Sequence, residues 1–229
     1  MPLPENDAPD IVDLDTAIEA FKKQAPEGGI FVDLGCGQNR RDGFIGLDLY
    51  PQDDQTLEAD LFSYYSGEAF AVADNLGILG EKIEIGKLAD NSVSLVYSSH
   101  FLEHIPQKCW GPFWEELYRV CKPGAIHVHI FPFGNSVGTY QDPTHRQVLF
   151  PERFMYLDPE WREAVKMQHY LPDVNFKMKI APWFYWHEDF AGLSEQSRAY
   201  HAKHTFNAIS EAVIFLECIK KEEGEGNEP

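Results

Sequence analysis

Residues 31–37 read Phe-Val-Asp-Leu-Gly-Cys-Gly, an apolar run that ends in an acid and then breaks into two glycines one residue apart. A short apolar run bounded by turn signals predicts a buried strand, and glycine takes positive φ and lets the backbone approach a bound molecule closely. The stretch therefore predicts a strand that brings Asp33 to a ligand crevice and turns there through Gly35 and Gly37, as a nucleotide-binding loop does. Two glycines after a strand also suit an ordinary turn, and the residues that follow decide between the two readings.

Ile11, Leu14, Ile18 and Phe21 recur at steps of three and four, the apolar face of a helix over 11–25 that Pro26-Glu27-Gly28-Gly29 ends. After the strand at 30–34, residues 44–48 predict a second strand ending in Asp48. The connection between them is too short for a full crossover helix. A third strand is predicted over 57–61 with Asp60 near its end, and 63–80 reads equally as helix or loop. Val93 to Tyr97 is a fourth strand, Phe113, Leu117 and Val120 mark a helix opened by Gly111-Pro112, and 125–131 is a fifth strand. Periodicity then fails over 132–173, a segment rich in Pro, His, Tyr and Phe that reads as an insertion or lid. Strands at 174–180 and 212–219 flank a polar helix around 192–203, and 221–229 reads as a frayed tail. Strands alternating with helices predict one α/β domain over 1–229, with a doubly wound, mostly parallel, seven-stranded sheet. Ligands of such sheets lie beyond the C-terminal ends of the strands, where Asp33, Asp48, Asp60 and Ser98 all fall.

The charge narrows the partners. Nineteen basic against 37 acidic residues give a net charge of −18, which repels a phosphate backbone. The densest basic clusters, Arg40-Arg41 and Lys220-Lys221, are isolated pairs, so no nucleic-acid partner is expected. Cys36, Cys109, Cys121 and Cys218 show no CxxC spacing and the first residues lack the regions of a signal peptide, which predicts reduced thiols in a cytoplasm. No apolar run approaches the roughly 20 residues that span a bilayer, and no membrane partner is expected.

Six segments in order, Val32 to Gly37, Gly46 to Leu49, Ala59 to Leu61, Leu88 to Val93, Ser98 to Ile105 and Glu116 to Gly124, resemble class I S-adenosylmethionine-dependent methyltransferases of the type 11 kind. The resemblance runs from Phe31 to Ile219. It implies a Rossmann-like fold, S-adenosylmethionine as cofactor and a cofactor site made of Asp33, Gly35, Cys36, Gly37, Asp48, Leu49, Asp60, Leu61 and Ser98. In it, Asp33 and the backbone at Gly35 and Gly37 hold the methionine end. Asp48 accepts from both ribose hydroxyls, Leu49 lies against adenine, and Asp60 accepts from the exocyclic amine. Ser98 and His100 border the sulfonium. Gln38-Asn39 stand where a dinucleotide loop has its third glycine, which disfavours a nicotinamide-dependent oxidoreductase; a catalytically silent S-adenosylmethionine-binding module is the other alternative.

Residues 135–146, just after the fifth strand, concentrate donors, acceptors and an imidazole, and are the expected acceptor site. Methyl transfer is an in-line displacement at an activated carbon, so the protein must mainly orient the acceptor and take its proton. His145 is the candidate base, His100 a second catalytic candidate, and Tyr140, Asp142 and Arg146 are candidates for binding a small polar acceptor such as a sugar or metabolite. An Asx-Pro turn capped by His145 and Arg146 is the structural alternative. His100-Phe101-Leu102-Glu103-His104 matches the inverted zinc-protease pattern H-x-x-E-H, but it follows a strand directly and Pro106 cuts any helix short, so it is read as coincidence with His104 and Ile105 as packing residues. His127 and His129 share one face of the fifth strand and read as hydrogen-bonded core histidines. No metal is assigned. The aromatic clusters at 150–156 and 183–186 read as an acceptor wall or as core.

Overall fold

Asp13 opens the first helix, α1 (Leu14–Gln24): its Oδ1 accepts from the Thr16 N–H at 2.8 Å, a donor the first turn leaves without an intrahelical partner. Ala17, Ile18 and Phe21 are its buried face. The computed structural model describes residues 13–50, 54, 56–58, 88–170 and 174–220, so the expected first turn at 11 and 12, the ambiguous segment 63–80 and the frayed tail lie outside the described residues.

Five strands run parallel: β1 (Ile30–Leu34), β2 (Ile45–Asp48), β3 (Thr56–Glu58), β4 (Val93–Ser99) and β5 (Cys121–Pro132). Residues 35–44, between β1 and β2, hold turns and no helix, as their length requires. On the far side of β5, β8 (Ile209–Cys218) is antiparallel, and its outer edge pairs with β6 (Phe176–Met178) and then with β7 (Trp183–Trp186). The order is β3-β2-β1-β4-β5-β8-β6, with β7 beside β6 on the same edge. The strand expected over 174–180 is thus shorter, and the aromatic run 183–186 resumes it after Pro182, a residue without a ladder donor.

The sheet is covered on both faces. Phe113, Trp114, Leu117 and Val120 of α2 (Trp110–Val120) bury one face, and Pro112 sits in its first turn, where no backbone donor is needed. Arg119 of α2 holds the loop entering β4: its Nη1 donates to Leu88 O at 2.8 Å and Asp90 Oδ1 at 2.6 Å, and its Nη2 to Glu116 Oε1 at 2.6 Å. The segment after β5 contributes α3 (Val137–Gln141), a 3-10 stretch (Pro151–Leu157) and α4 (Pro159–Ala164). Leu149, Phe154 and Leu157 of this segment are buried in the α2-side core. α5 (Glu188–Ala191) and α6 (Glu195–His204) precede β8.

Along β5 the period of two sends Ile126, Val128 and Ile130 toward α1 and His127, His129 and Phe131 toward α2. Both histidines are fully buried, with ring centroids 6.2 and 5.6 Å from Trp114. His129 Nδ1 lies 2.7 Å from the Ser98 hydroxyl and His127 Nε2 lies 3.2 Å from Cys121 Sγ. Burial lowers the pKa of both, that of His129 to about 3. An unfolded chain protonates its imidazoles below about pH 6.5 while these two stay neutral, so the unfolded state binds more protons there. Stability is therefore full above about pH 6.5 and falls on acidification, by about 1.4 kcal/mol per pH unit for each imidazole. In urea unfolding at about pH 7 and about pH 4.5, His129→Gln should lose less stability on acidification than the parent chain. An equal acid loss would show that the imidazole is charged in the core.

Candidate functional site

The turn after β1 has the geometry its glycines permit. Gly35 and Gly37 sit at φ +63° and +54°. A Cβ on Gly35 would stand 2.3 Å from the Phe101 ring, whereas one on Gly37 would meet nothing within 4 Å. Gly35 is thus pressed by the protein from below, and Gly37 faces open space. Asp33, almost fully buried, accepts from the Arg41 N–H at 2.8 Å and so closes the 35–43 loop. Burial pushes its pKa up to about 6, against the pull of the Arg41 N–H. Asp48, at the end of β2, takes the Gly37 N–H on Oδ2 at 2.8 Å and the Tyr50 N–H on Oδ1 at 2.9 Å.

These residues fit S-adenosylmethionine. A carboxylate offers about four lone-pair positions, and two backbone donors leave Asp48 able to accept from ribose hydroxyls. Leu49 is exposed beside it as an apolar surface for a base, and the open face of Gly37 leaves room for a ligand at the turn. The Cys36 side chain differs from the expectation. Its Sγ lies 3.7 Å from Thr56 Oγ1, under the loop, which leaves its backbone to meet a ligand. Ser98 differs too: it is fully buried, and its hydroxyl faces His129 because β4 has turned that side chain toward the α2 face. Asp60 and Leu61 lie outside the described residues.

A cavity of about 410 Å³ opens at the carboxyl-terminal ends of β4 and β5 and the start of β8, with His100, His104, Pro132, Gln141, Asp142, His145 and Glu211 among its lining. His100 follows β4 at φ +52°, with Nδ1 3.3 Å from Glu103 Oε1 and Nε2 3.1 Å from Glu211 Oε1. These carboxylates, Glu103 first, raise its pKa to about 10 against the opposing effect of burial. His100 is therefore a cation at neutral pH, at the edge of the cavity. His145 is different. Its Nδ1 lies 3.0 Å from Thr139 O, which accepts only a proton-bearing nitrogen, so in the neutral ring Nε2 carries the lone pair. Asp142 Oδ2 lies 3.8 Å from that Nε2.

The expected acceptor residues divide. His145 and Asp142 line the cavity, while Tyr140, 62% exposed beside Phe206, and Arg146 are not part of its lining. Arg146 contributes through its backbone: its N–H and that of Gln147 donate to Glu103 O at 2.7 and 3.0 Å and draw the 142–147 loop over the end of β4. The aromatic run of β7 lies outside the cavity lining and packs on the sheet edge, with Trp183 5.0 Å from Phe215 and Phe184 5.8 Å from Phe133. Two residues of the site escaped the sequence reading. His104 had its signal in H-x-x-E-H but was assigned to packing. Glu211 arrives on β8, more than a hundred residues from His100, with no local pattern to mark it.

Residues 32–129 match a family model described as a methyltransferase domain. In fold, the chain is similar to an S-adenosylmethionine-dependent methyltransferase from Archaeoglobus fulgidus, with 16% identity over 88% of this chain and 91% of that one and a TM-score of 0.51. An S-adenosylmethionine-dependent methyltransferase from Mesorhizobium loti aligns at 15% identity over 87% of this chain and 96% of that one, with a TM-score of 0.40. No curated protein matches the chain.

The two glycines separate structure from binding. Gly35→Ala forces Phe101 aside and strains a positive φ, and should cost about 2 kcal/mol or more in urea unfolding. Gly37→Ala should cost about 1 kcal/mol yet weaken S-adenosylhomocysteine binding in calorimetry, because its Cβ enters the open face of the turn. Unchanged binding in Gly37→Ala would place the ligand elsewhere.

Proposed function

We propose that this chain, a class I S-adenosylmethionine-dependent methyltransferase, moves the methyl group to an oxygen or nitrogen of a small polar acceptor, a sugar or metabolite, held in the cavity between His100 and His145. The observation that carries this reading is a cavity of ligand size with a polar lining, at the sheet edge where the turn after β1 also opens. Phe101, which packs under Gly35, is the residue after His100, which lines the cavity. S-adenosylmethionine supplies a methyl group on a sulfonium, a carbon activated for displacement before any residue acts.

The protein's own tasks are to bind, orient and deprotonate. Asp48 receives the ribose and Leu49 the adenine, Asp33 keeps the loop closed, and Gly35 and Gly37 bring its backbone to the methionine end; Asp60 and Leu61 keep the adenine-side roles the resemblance implies. In the cavity, Asp142 and Glu211 accept from hydroxyl or amine donors, and the His100 cation lies between Glu103 and Glu211. The carboxylates and the net charge of −18 favour a neutral or cationic acceptor over a polyanion. His145 Nε2, whose lone pair is set by the Thr139 carbonyl, takes the acceptor's proton as the new bond to the methyl carbon forms and the bond to sulfur breaks. No described helix is long and apolar enough to cross a membrane, and four buried free thiols suit a cytoplasmic setting.

Thermal unfolding with S-adenosylmethionine, S-adenosylhomocysteine and NAD tests the cofactor, since a ligand of the native state raises the melting temperature by mass action. The first two should stabilise the chain, and Asp48→Ala should weaken both by about tenfold or more, the loss of one to two charge-assisted hydrogen bonds. Stabilisation by NAD alone would overturn the reading. In a screen of hydroxyl and amine metabolites coupled to S-adenosylhomocysteine release, His145→Ala should lose turnover by about a hundredfold or more while cofactor binding is kept. Full turnover in that variant would remove His145 from the chemistry.

A further inference from the structure

We propose that Glu103, His104 and His145 bind one divalent transition-metal ion, of the zinc class, at the floor of the acceptor cavity. Among the described residues, these three bring a carboxylate oxygen and two imidazole nitrogens within 4.8 Å of one another. Glu103 is 2% exposed, and neither of its carboxylate oxygens makes a hydrogen bond. Oε1 lies 3.3 Å from His100 Nδ1 and 3.9 Å from His145 Nε2. The His100 cation that meets Oε1 is shared with Glu211, and a metal ion between the carboxylate and the two imidazoles would add a second partner for a buried charge.

The tautomers favour a metal. Thr144 Oγ1 donates its one proton to Asp142 Oδ1 at 2.7 Å, so toward His104 Nδ1, 3.1 Å away, it can only accept. His104 therefore carries its proton on Nδ1 and its lone pair on Nε2. His145 has the same arrangement through the Thr139 carbonyl. Two imidazoles, each with its far nitrogen tied to an oxygen and its near nitrogen free, are the way proteins orient histidine ligands. Their rings lie 4.8 Å apart, edge to face. The backbone sets the third distance, because Glu103 O accepts from the N–H groups of Arg146 and Gln147, the two residues after His145.

Two imidazoles and one carboxylate are a set for zinc or a neighbouring transition metal, with positions left open for a further ligand; magnesium and calcium prefer all-oxygen sets. Ligand atoms around a tetrahedral zinc stand about 3.4 Å apart, so side-chain rotation of about 1 Å closes the site. His104 and His145 both line the cavity, so the open positions face the acceptor, whose oxygen or nitrogen would bind the ion and lose its proton more easily, to the Asp142 carboxylate in the same lining. The site itself does not depend on the proposed function. Its use does, and in the loaded protein the ion replaces the bare His145 Nε2 as the group that activates the acceptor.

The untagged full chain, stripped with a chelator and then titrated with Co²⁺ and Zn²⁺, provides the test, with no acceptor present. One equivalent of Co²⁺ should bind saturably with visible d–d absorption and be displaced by Zn²⁺, but not by Mg²⁺. His145→Ala, Glu103→Gln and Thr144→Val should each weaken binding by about tenfold or more, and His187→Ala, outside the cavity, should not. Retained thermal stabilisation by S-adenosylhomocysteine shows that each variant is folded, and Thr144→Val carries the test if Glu103→Gln fails to fold. No saturable Co²⁺ binding by the folded parent chain, or equal binding by His104→Ala/His145→Ala, overturns the metal site. In the first case turnover by the chelator-treated chain would leave His145 as the base, so the two readings fail separately.

Discussion

Everything in this protein hangs on the parallel pairing of β1, β4 and β5. Leu34 stands opposite Ser98 and Ser99 opposite Ile130, so the turns that follow these strands open at one edge of the sheet. Parallel strands must be joined by segments that return across the faces, and this leaves the carboxyl-terminal edge to loops. β8 enters that edge from the opposite direction, with Glu211 opposite Pro132. The cofactor turn, His100, the 142–147 loop and Glu211 are neighbours for that reason, although they are spread over about 180 residues of chain.

Within this frame, buried polar groups fall into two kinds with different consequences. His127 and His129 sit among Trp114, Phe176 and Cys121, stay neutral, and act as packing that happens to carry nitrogen. Two such imidazoles make the fold sensitive to acid. Asp33 works in the opposite sense: its pKa is raised, so stability falls as pH climbs from the usual carboxylate range toward about 6. With two imidazoles against one carboxylate, the acid-sensitive slope dominates. Glu103 is the other kind, a buried carboxylate behind the cavity whose charge meets the His100 cation it shares with Glu211.

Much of this was legible beforehand. The glycine turn, the acid at the end of β2, the missing helix between β1 and β2 and the alternation along β5 are local properties, decided by side-chain size and period. The loop after β5, which the sequence marks as polar, does line the cavity through Asp142 and His145. Side-chain direction at strand ends was not legible, and for this reason Ser98 and Cys36 were expected in the crevice but turn beneath it. Tyr140 and Arg146 show the same limit. In a short helix and an irregular loop, no period tells which side chains face inward, and Arg146 turned out to matter through its N–H. The pairing of β6 and β7 with one edge of β8 was also hidden, since an interrupted strand and two separate strands have the same local pattern.

The sequence by itself determined the class of fold, the glycine turn after β1 and the family it resembles, because strands, turns and glycine requirements are written in near neighbours. Only the tertiary structure decided what the histidines do. His100 becomes a cation because Glu103, three residues on, and Glu211, from a distant antiparallel strand, both reach its ring, and His104 leaves the core for the cavity because the 142–147 loop is tied to the Glu103 carbonyl. Protonation and ligation depend on which charges lie within a few ångströms, and that distance is set by the packing of segments far apart in the chain.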